Sequence, residues 1–138
     1  MRKIQGQCLC GAVRYHSDAV PLMTAICQCK HCQRQTGTTF SILVAVPRGS
    51  LVFDGVEPDT YRDLGESGLP IARRFCSRCG SPIFSAPDSM PGMDFIKAGT
   101  LDDTSWLRPE LAVWCDTAQP WLQLPADLPK LPRNPPAG

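Results

Sequence analysis

The sequence predicts an all-β domain, an open sandwich of short strands built around cysteine knuckles that bind zinc. Three observations carry this prediction. Apolar segments are short and closed by Gly, Pro, Asn or Asp, the longest being Ile42 to Val46 before Pro47. No stretch shows the sustained 3.6-residue periodicity of a long helix. The eight cysteines include three closely spaced groups, Cys8-Leu9-Cys10, Cys27-Gln28-Cys29-Lys30-His31-Cys32 and Cys76-Ser77-Arg78-Cys79.

Taken in order, Ala12 to Tyr15 alternates around Val13 and Tyr15 between Gly11 and Ser17-Asp18, which reads as a strand. Leu22 to Ile26 reads as a second strand that runs into the central cysteines. Gln33 to Thr36, closed by Gly37, reads as one helical turn with a glycine stop. Phe40 to Val46 and Leu51 to Phe53 are β-rich segments separated by Pro47 and Gly49, the pattern of a hairpin. Thr60 to Arg62 follows, then a loop at Gly65 to Pro70, and Ala72 to Phe75 leads extended into Cys76. Ile83 to Ser85, Phe95 to Gly99 and Ala112 to Trp114 complete the strands, with Ala86 to Met93 a proline-marked loop. Prolines then recur from Pro120, so the end reads as an extended strap and, over 125–138, a Pro-rich tail.

At 138 residues the chain fits one domain, residues 1–138. A chain of about 150 residues buries about 70% of its unfolded surface, enough for a core. The net charge is +1 and neither sign forms a block, which leaves no electrostatic footprint for nucleic acid or for a membrane surface. No apolar run approaches the roughly 20 residues of a membrane-crossing helix. Ile4 to Gln7 supplies no apolar segment for a secretory signal, so the expected compartment is the cytoplasm. In a reducing compartment, clustered cysteines are metal ligands more often than disulfides.

The outer pairs supply four thiolates. Cys8 and Cys10 in an extended segment project to one face, and Cys76 and Cys79 bracket a knuckle, so together they form the closed shell of a structural zinc. Cys27, Cys29 and Cys32 then have three ligands for themselves, and three ligands plus an open position is the arrangement of a reactive zinc. Three thiolates make a soft site suited to an incoming thiol, which is deprotonated on coordination. The alternative is a closed central site with Cys115 or His31 as fourth ligand, giving two structural ions and no catalysis. Cys115 otherwise reads as a small apolar group in a strand.

These motifs with their flanks carry a resemblance. Gly6-Gln7-Cys8-Leu9-Cys10-Gly11-Ala12-Val13, the Cys27, Cys29, Cys32 group with Gln33-Arg34 and Thr36-Gly37, and Phe75-Cys76 through Cys79-Gly80-Ser81-Pro82-Ile83-Phe84 resemble the glutathione-dependent formaldehyde-activating enzyme family, which includes the centromere protein V domain. The resemblance runs from Gly6 to about Leu124. It implies an Mss4-like all-β fold, a structural zinc on Cys8, Cys10, Cys76 and Cys79, and a catalytic zinc on Cys27, Cys29 and Cys32. The implied activity is that of a carbon-sulfur lyase, joining formaldehyde to glutathione to give S-hydroxymethylglutathione or reversing that step. The position between Cys27 and Cys29, often histidine in that family, is Gln28 here.

The expected cofactor is therefore two zinc ions per chain, and the expected partner a small thiol or thiol adduct such as glutathione. Lys30, Arg34, Arg73, Arg74 and Arg78 lie near the cysteines in sequence, and Arg34 is the candidate substrate-binding residue. Trp106, Trp114 and Trp121 read as packing residues, and Asp54, Asp102 and Asp103 as turn formers. A non-catalytic zinc-stabilised module for protein interaction or metal handling is the alternative function.

Overall fold

In a strand, alternate side chains point to opposite faces, and that period sorts this chain into two sheets with a shared core. The computed structural model describes residues 4–65 and 67–133. Its strands are β1 (Ile4–Gln7), β2 (Val13–Ser17), β3 (Met23–Cys27), β4 (Ser41–Pro47), β5 (Val52–Gly55), β6 (Asp59–Leu64), β7 (Pro70–Phe75), β8 (Pro82–Pro87), β9 (Met93–Lys97) and β10 (Leu111–Val113). A two-turn helix, α1 (Lys30–Thr36), lies between β3 and β4. The all-β prediction holds.

One sheet has the order β1-β2-β5 and the other the order β10-β3-β4-β9-β8-β7-β6. All pairings are antiparallel except β10 with β3, which is parallel. Ile4, Val13 and Tyr15 from the small sheet meet Val44, Val46, Ile83 and Ile96 from the large one, all at most 2% exposed. Phe53 of β5 stacks on Phe84 of β8 with ring centroids 5.7 Å apart, closing the core between the sheets.

Four local expectations are revised. The strand at Ile4–Gln7 pairs with β2 although its sequence, with Gln5 and Gln7 facing out, gives only two apolar positions. Leu51 to Phe53 forms no hairpin with β4. The segment crosses to the other sheet and pairs with β2, because Phe53 buries against Tyr15 and Phe84. The Cys8 to Cys10 segment is a turn instead of an extended run, with the Gly11 N–H donating to Cys8 O at 3.2 Å. Gly11 there has φ 78°, a conformation that strains any residue with a Cβ. The helix begins at Lys30, one turn earlier than glycine punctuation indicates.

The proline-rich strap docks beside β10. The Ala112 N–H donates to Pro129 O at 2.9 Å, the Leu131 N–H donates to Ala112 O at 2.8 Å, and Leu128 is buried. Of the tail expected over 125–138, residues 134–138 lie outside the described residues. Among the described residues no helix is long and apolar enough to cross a membrane.

Candidate functional site

The cysteines gather into two clusters. The sulfurs of Cys8, Cys10, Cys76 and Cys79 all lie within 4.8 Å of one another, as do those of Cys27, Cys29 and Cys32. All eight cysteines are free thiols.

The outer cluster joins two tight turns. Gly11 after Cys10 and Gly80 after Cys79 both adopt positive φ, and the Gly80 N–H donates to Cys76 O at 2.8 Å, which folds each turn back on itself. Backbone N–H groups of Val13 and Arg78 point at the sulfurs of Cys8 (3.3 Å) and Cys76 (3.4 Å), an arrangement that stabilises thiolates. Hydrogen bonding from Ser81 holds the Cys79 thiol down at about 5. The Sγ separations of 3.6 Å (Cys8 to Cys10) and 3.8 Å (Cys10 to Cys76) are those of ligands around an ion, well beyond the roughly 2.05 Å of a disulfide. Four thiols with this support fit a closed tetrahedral zinc shell.

In the central cluster Cys27 ends β3, Cys29 caps α1 and Cys32 lies in its first turn. Cys29 replaces the usual hydroxyl or carboxylate cap, its sulfur accepting from the Cys32 N–H at 3.3 Å. Gly37 ends the helix with φ 75°, its N–H bonded to Gln33 O. Gln33 anchors the turn from inside: its amide donates to Gln28 O at 2.8 Å and to Thr117 O at 3.2 Å, and its Oε1 accepts from Gln119.

The three central sulfurs are 6 to 7% exposed. The Cys27 and Cys29 thiols donate to Cys32 and, with the nearby Lys97 and Arg73 charges, hold it well down, while the same thiol contacts drive Cys27 far up. Three thiolates so close repel one another, and a soft divalent ion relieves that repulsion, so the donor set fits zinc. No fourth Cys, His, Asp or Glu among the described residues joins the cluster. His31 instead has Nδ1 3.2 Å from Asp63 Oδ2. Cys115 packs near Ile26 and Ala112, its sulfur 3.5 Å from the Gln28 amide nitrogen.

A cavity of about 870 Å3 opens beside the central cluster. Strand register explains its floor, since residues directly opposite one another share a face. Arg73, Ser85, Phe95, Ala45 and Met23 form one row across the large sheet, and Lys97, Leu43 and Ala25 the next. This is the face opposite the core. The rim is built by Gly65, Ser67 and Leu69 and by the β8–β9 loop from Pro87 to Met93. Arg48 ties that loop, donating to Pro87 O (2.8 Å), Met90 O (3.1 Å) and Met93 O (3.0 Å), and ion-pairing with Asp94 at 2.9 Å.

Among the described residues, Arg73 and Lys97 are the charged residues of the lining, apart from His31. Arg73 Nε is 3.0 Å from Asp63 Oδ2, the oxygen that also faces His31. Lys97, 5% exposed, donates from Nζ to Ser41 Oγ at 3.0 Å. Ser41 sits directly opposite Cys27, so the ammonium leans toward the cysteines. Burial pushes the Lys97 ammonium down, and the Cys32 thiolate opposes that shift. A second groove of about 510 Å3 lies beyond Lys97 and is lined by Thr36, Phe40, Ser81 and Leu107 among others.

Arg34 is exposed on α1 and absent from the cavity lining. Lys30 and Arg78 are also exposed, and Arg74 bonds Pro58 O and stacks on Phe84. Trp114 lines the cavity, Trp106 packs on the core and Trp121 is 64% exposed. Lys97 and Ser85 escaped the sequence reading. Their signal was a polar residue at the outward-alternating position of an apolar strand, as in Phe95-Ile96-Lys97-Ala98.

Comparison with known proteins agrees with these motifs. A Colletotrichum graminicola protein provisionally named glutathione-dependent formaldehyde-activating enzyme is 22% identical over 75% of this chain and 60% of its own length. Proteins of the same provisional name from Podospora anserina and Halomonas elongata are each 29% identical, over 64% and 78% of this chain and 42% and 71% of their own lengths. The chain thus spans less than two thirds of the first two relatives. A crystal structure of a Rhodobacter sphaeroides protein shares the fold, with TM-score 0.59 and 20% identity over 74% of this chain and 91% of that one. The family model described as glutathione-dependent formaldehyde-activating enzyme matches residues 3–117, and the chain belongs to that family.

Proposed function

We propose that this chain makes and breaks a carbon-sulfur bond between a thiol and a small carbonyl compound, as a zinc-dependent lyase of thiol adducts. The family name supplies glutathione and formaldehyde as the reference pair. The observation that carries the reading is a buried three-cysteine cluster with no fourth side-chain ligand among the described residues, placed at the wall of a cavity.

Cys27, Cys29 and Cys32 would hold the catalytic zinc, and Cys8, Cys10, Cys76 and Cys79 the structural one. Zinc on three thiolates supplies Lewis acidity toward a fourth, thiol ligand, favouring its thiolate at neutral pH. In the forward direction the substrate sulfur bonds to the carbonyl carbon, the carbonyl π pair moves to oxygen, and the thiol proton ends on that oxygen. The reverse step breaks the same bond and restores both compounds. The apolar cavity walls exclude bulk water, which strengthens every charge interaction inside. Asp63 fixes Arg73 and His31 together, joining α1 to β6 and β7 and holding the cysteine turn against the cavity. Lys97 offsets the negative charge of the three thiolates.

Metal analysis and zinc-edge absorption test the reading. Two ions per chain are expected, with Cys29→Ser losing one ion and the lyase activity. Glutathione added to the loaded protein is expected to convert a three-sulfur environment at one ion into a four-sulfur one. A four-sulfur environment at both ions before any thiol is added sinks the proposal and supports a purely structural module.

A further inference from the structure

The cavity lining includes two buried polar side chains outside the cysteine cluster and the Arg73 ion pair, Ser85 and Lys97. Ser85 is 5% exposed, lines the cavity, and its Oγ has no hydrogen-bond partner among the described residues. It sits directly opposite Phe95, on the face that also carries Lys97 two residues along β9. Lys97 Nζ has three donors, one of them spent on Ser41 Oγ, and no carboxylate among the described residues pairs with it. A buried ammonium with donors to spare, leaning toward the cysteines, is a binding point for an acidic oxygen, since it is costly to bury unpaired.

The remaining walls have a different chemistry. Met23, Met90 and Met93, every methionine of the chain beyond Met1, line this cavity together with Leu43 and Phe95. Methionine packs flexibly against apolar ligands of varied shape. Among the described residues no Asp or Glu lines the cavity. Glutathione carries two carboxylates and an ammonium, whereas the described walls are mainly apolar. Of the two cations, Arg73 is already engaged by Asp63.

We propose that the cavity selects a thiol or thiol adduct with an apolar carbon skeleton and one acidic oxygen group, such as a 2-mercapto acid. Its sulfur faces Cys27, Cys29 and Cys32, its acidic group takes Lys97 Nζ, and its skeleton lies on the methionine-lined walls. This rests on the thiol chemistry proposed above and narrows the substrate of that same site.

The test is calorimetric titration of the metal-loaded full chain with mercaptoacetate, 2-mercaptobutanoate, 2-mercaptohexanoate, the amide of the last, and glutathione. Kd is expected to fall about fourfold for each added methylene until the cavity fills. The acid is expected to bind at least tenfold tighter than its amide, and tighter than glutathione. Lys97→Met removes the preference for acid over amide and leaves the chain-length dependence. The same thiols are added to cobalt-substituted protein, whose sulfur-to-metal charge-transfer band reports thiol ligation independently. Band changes for all thiols with an affinity that ignores chain length, or with glutathione the tightest, overturn this inference and leave the lyase reading standing. No band change with any thiol overturns both.

Discussion

Cys76→Ser and Cys29→Ser each remove one thiolate, yet the fold assigns them different effects. The outer cluster ties Cys10 to Cys76 across 66 residues of chain. A cross-link closing a loop of that length removes about 4 kcal/mol of unfolded-state entropy. The central cluster spans only Cys27 to Cys32, within one turn and its helix. Closing a loop of about five residues is worth about 2 kcal/mol in the same treatment. Both cysteines are buried, at 0% and 6% exposure, so the cost of burying a serine hydroxyl is similar and drops out of the comparison. Cys76→Ser is therefore expected to lose about 2 kcal/mol more than Cys29→Ser, from a total that for such domains is about 5 to 15 kcal/mol. With a urea slope of about 2 kcal/mol per molar, the midpoints should differ by about 1 M. Urea unfolding of metal-loaded variants, followed by circular dichroism, reads this directly. Equal midpoints, or a lower one for Cys29→Ser, would refute the assignment of the outer cluster to the fold and the central one to chemistry.

Three further outcomes are expected. Cys115→Ala should keep the wild-type metal-to-protein ratio, because Cys115 lies outside both clusters, and loss of one ion on metal analysis would contradict that. Arg48→Ala should cost about 2 kcal/mol after allowing for its one-third exposure, by stranding Asp94 and the loop carbonyls. Hydrogen exchange should quicken at residues 88–93 and nowhere else. Tyr15→Phe should cost about 1 kcal/mol at neutral pH through the lost 2.6 Å bond to Thr100. Burial raises the Tyr15 phenol above its usual value of about 10, so above that pH the unfolded chain loses a proton that the native chain keeps. Wild-type stability then falls as pH rises, by up to about 1.4 kcal/mol per pH unit from this group, and alkaline unfolding of Tyr15→Phe should lack that component.

Most strands were legible because Gly and Pro punctuation is local, as at Gly65 to Pro70 between β6 and β7. The Leu51 to Phe53 segment was placed beside the wrong strand, since its sequence marks an apolar face without saying which sheet that face covers. The burial of Phe53 against Phe84 settles it. Arg34 was chosen for nearness in sequence to Cys32, but the helix turns its side chain to solvent.

The sequence by itself determined the cysteine groups, because spacings of two, three and five residues fix which sulfurs can share an ion within one turn. It also determined the all-β class and, through the motif flanks, the family. Tertiary structure decided that Cys8 and Cys10 meet Cys76 and Cys79, that Cys115 and His31 stay out of the central cluster, and that Lys97 leans toward Cys27. Those facts depend on strand register between segments far apart in the chain, and a one-residue slip would send Lys97 and Ser85 to the opposite face.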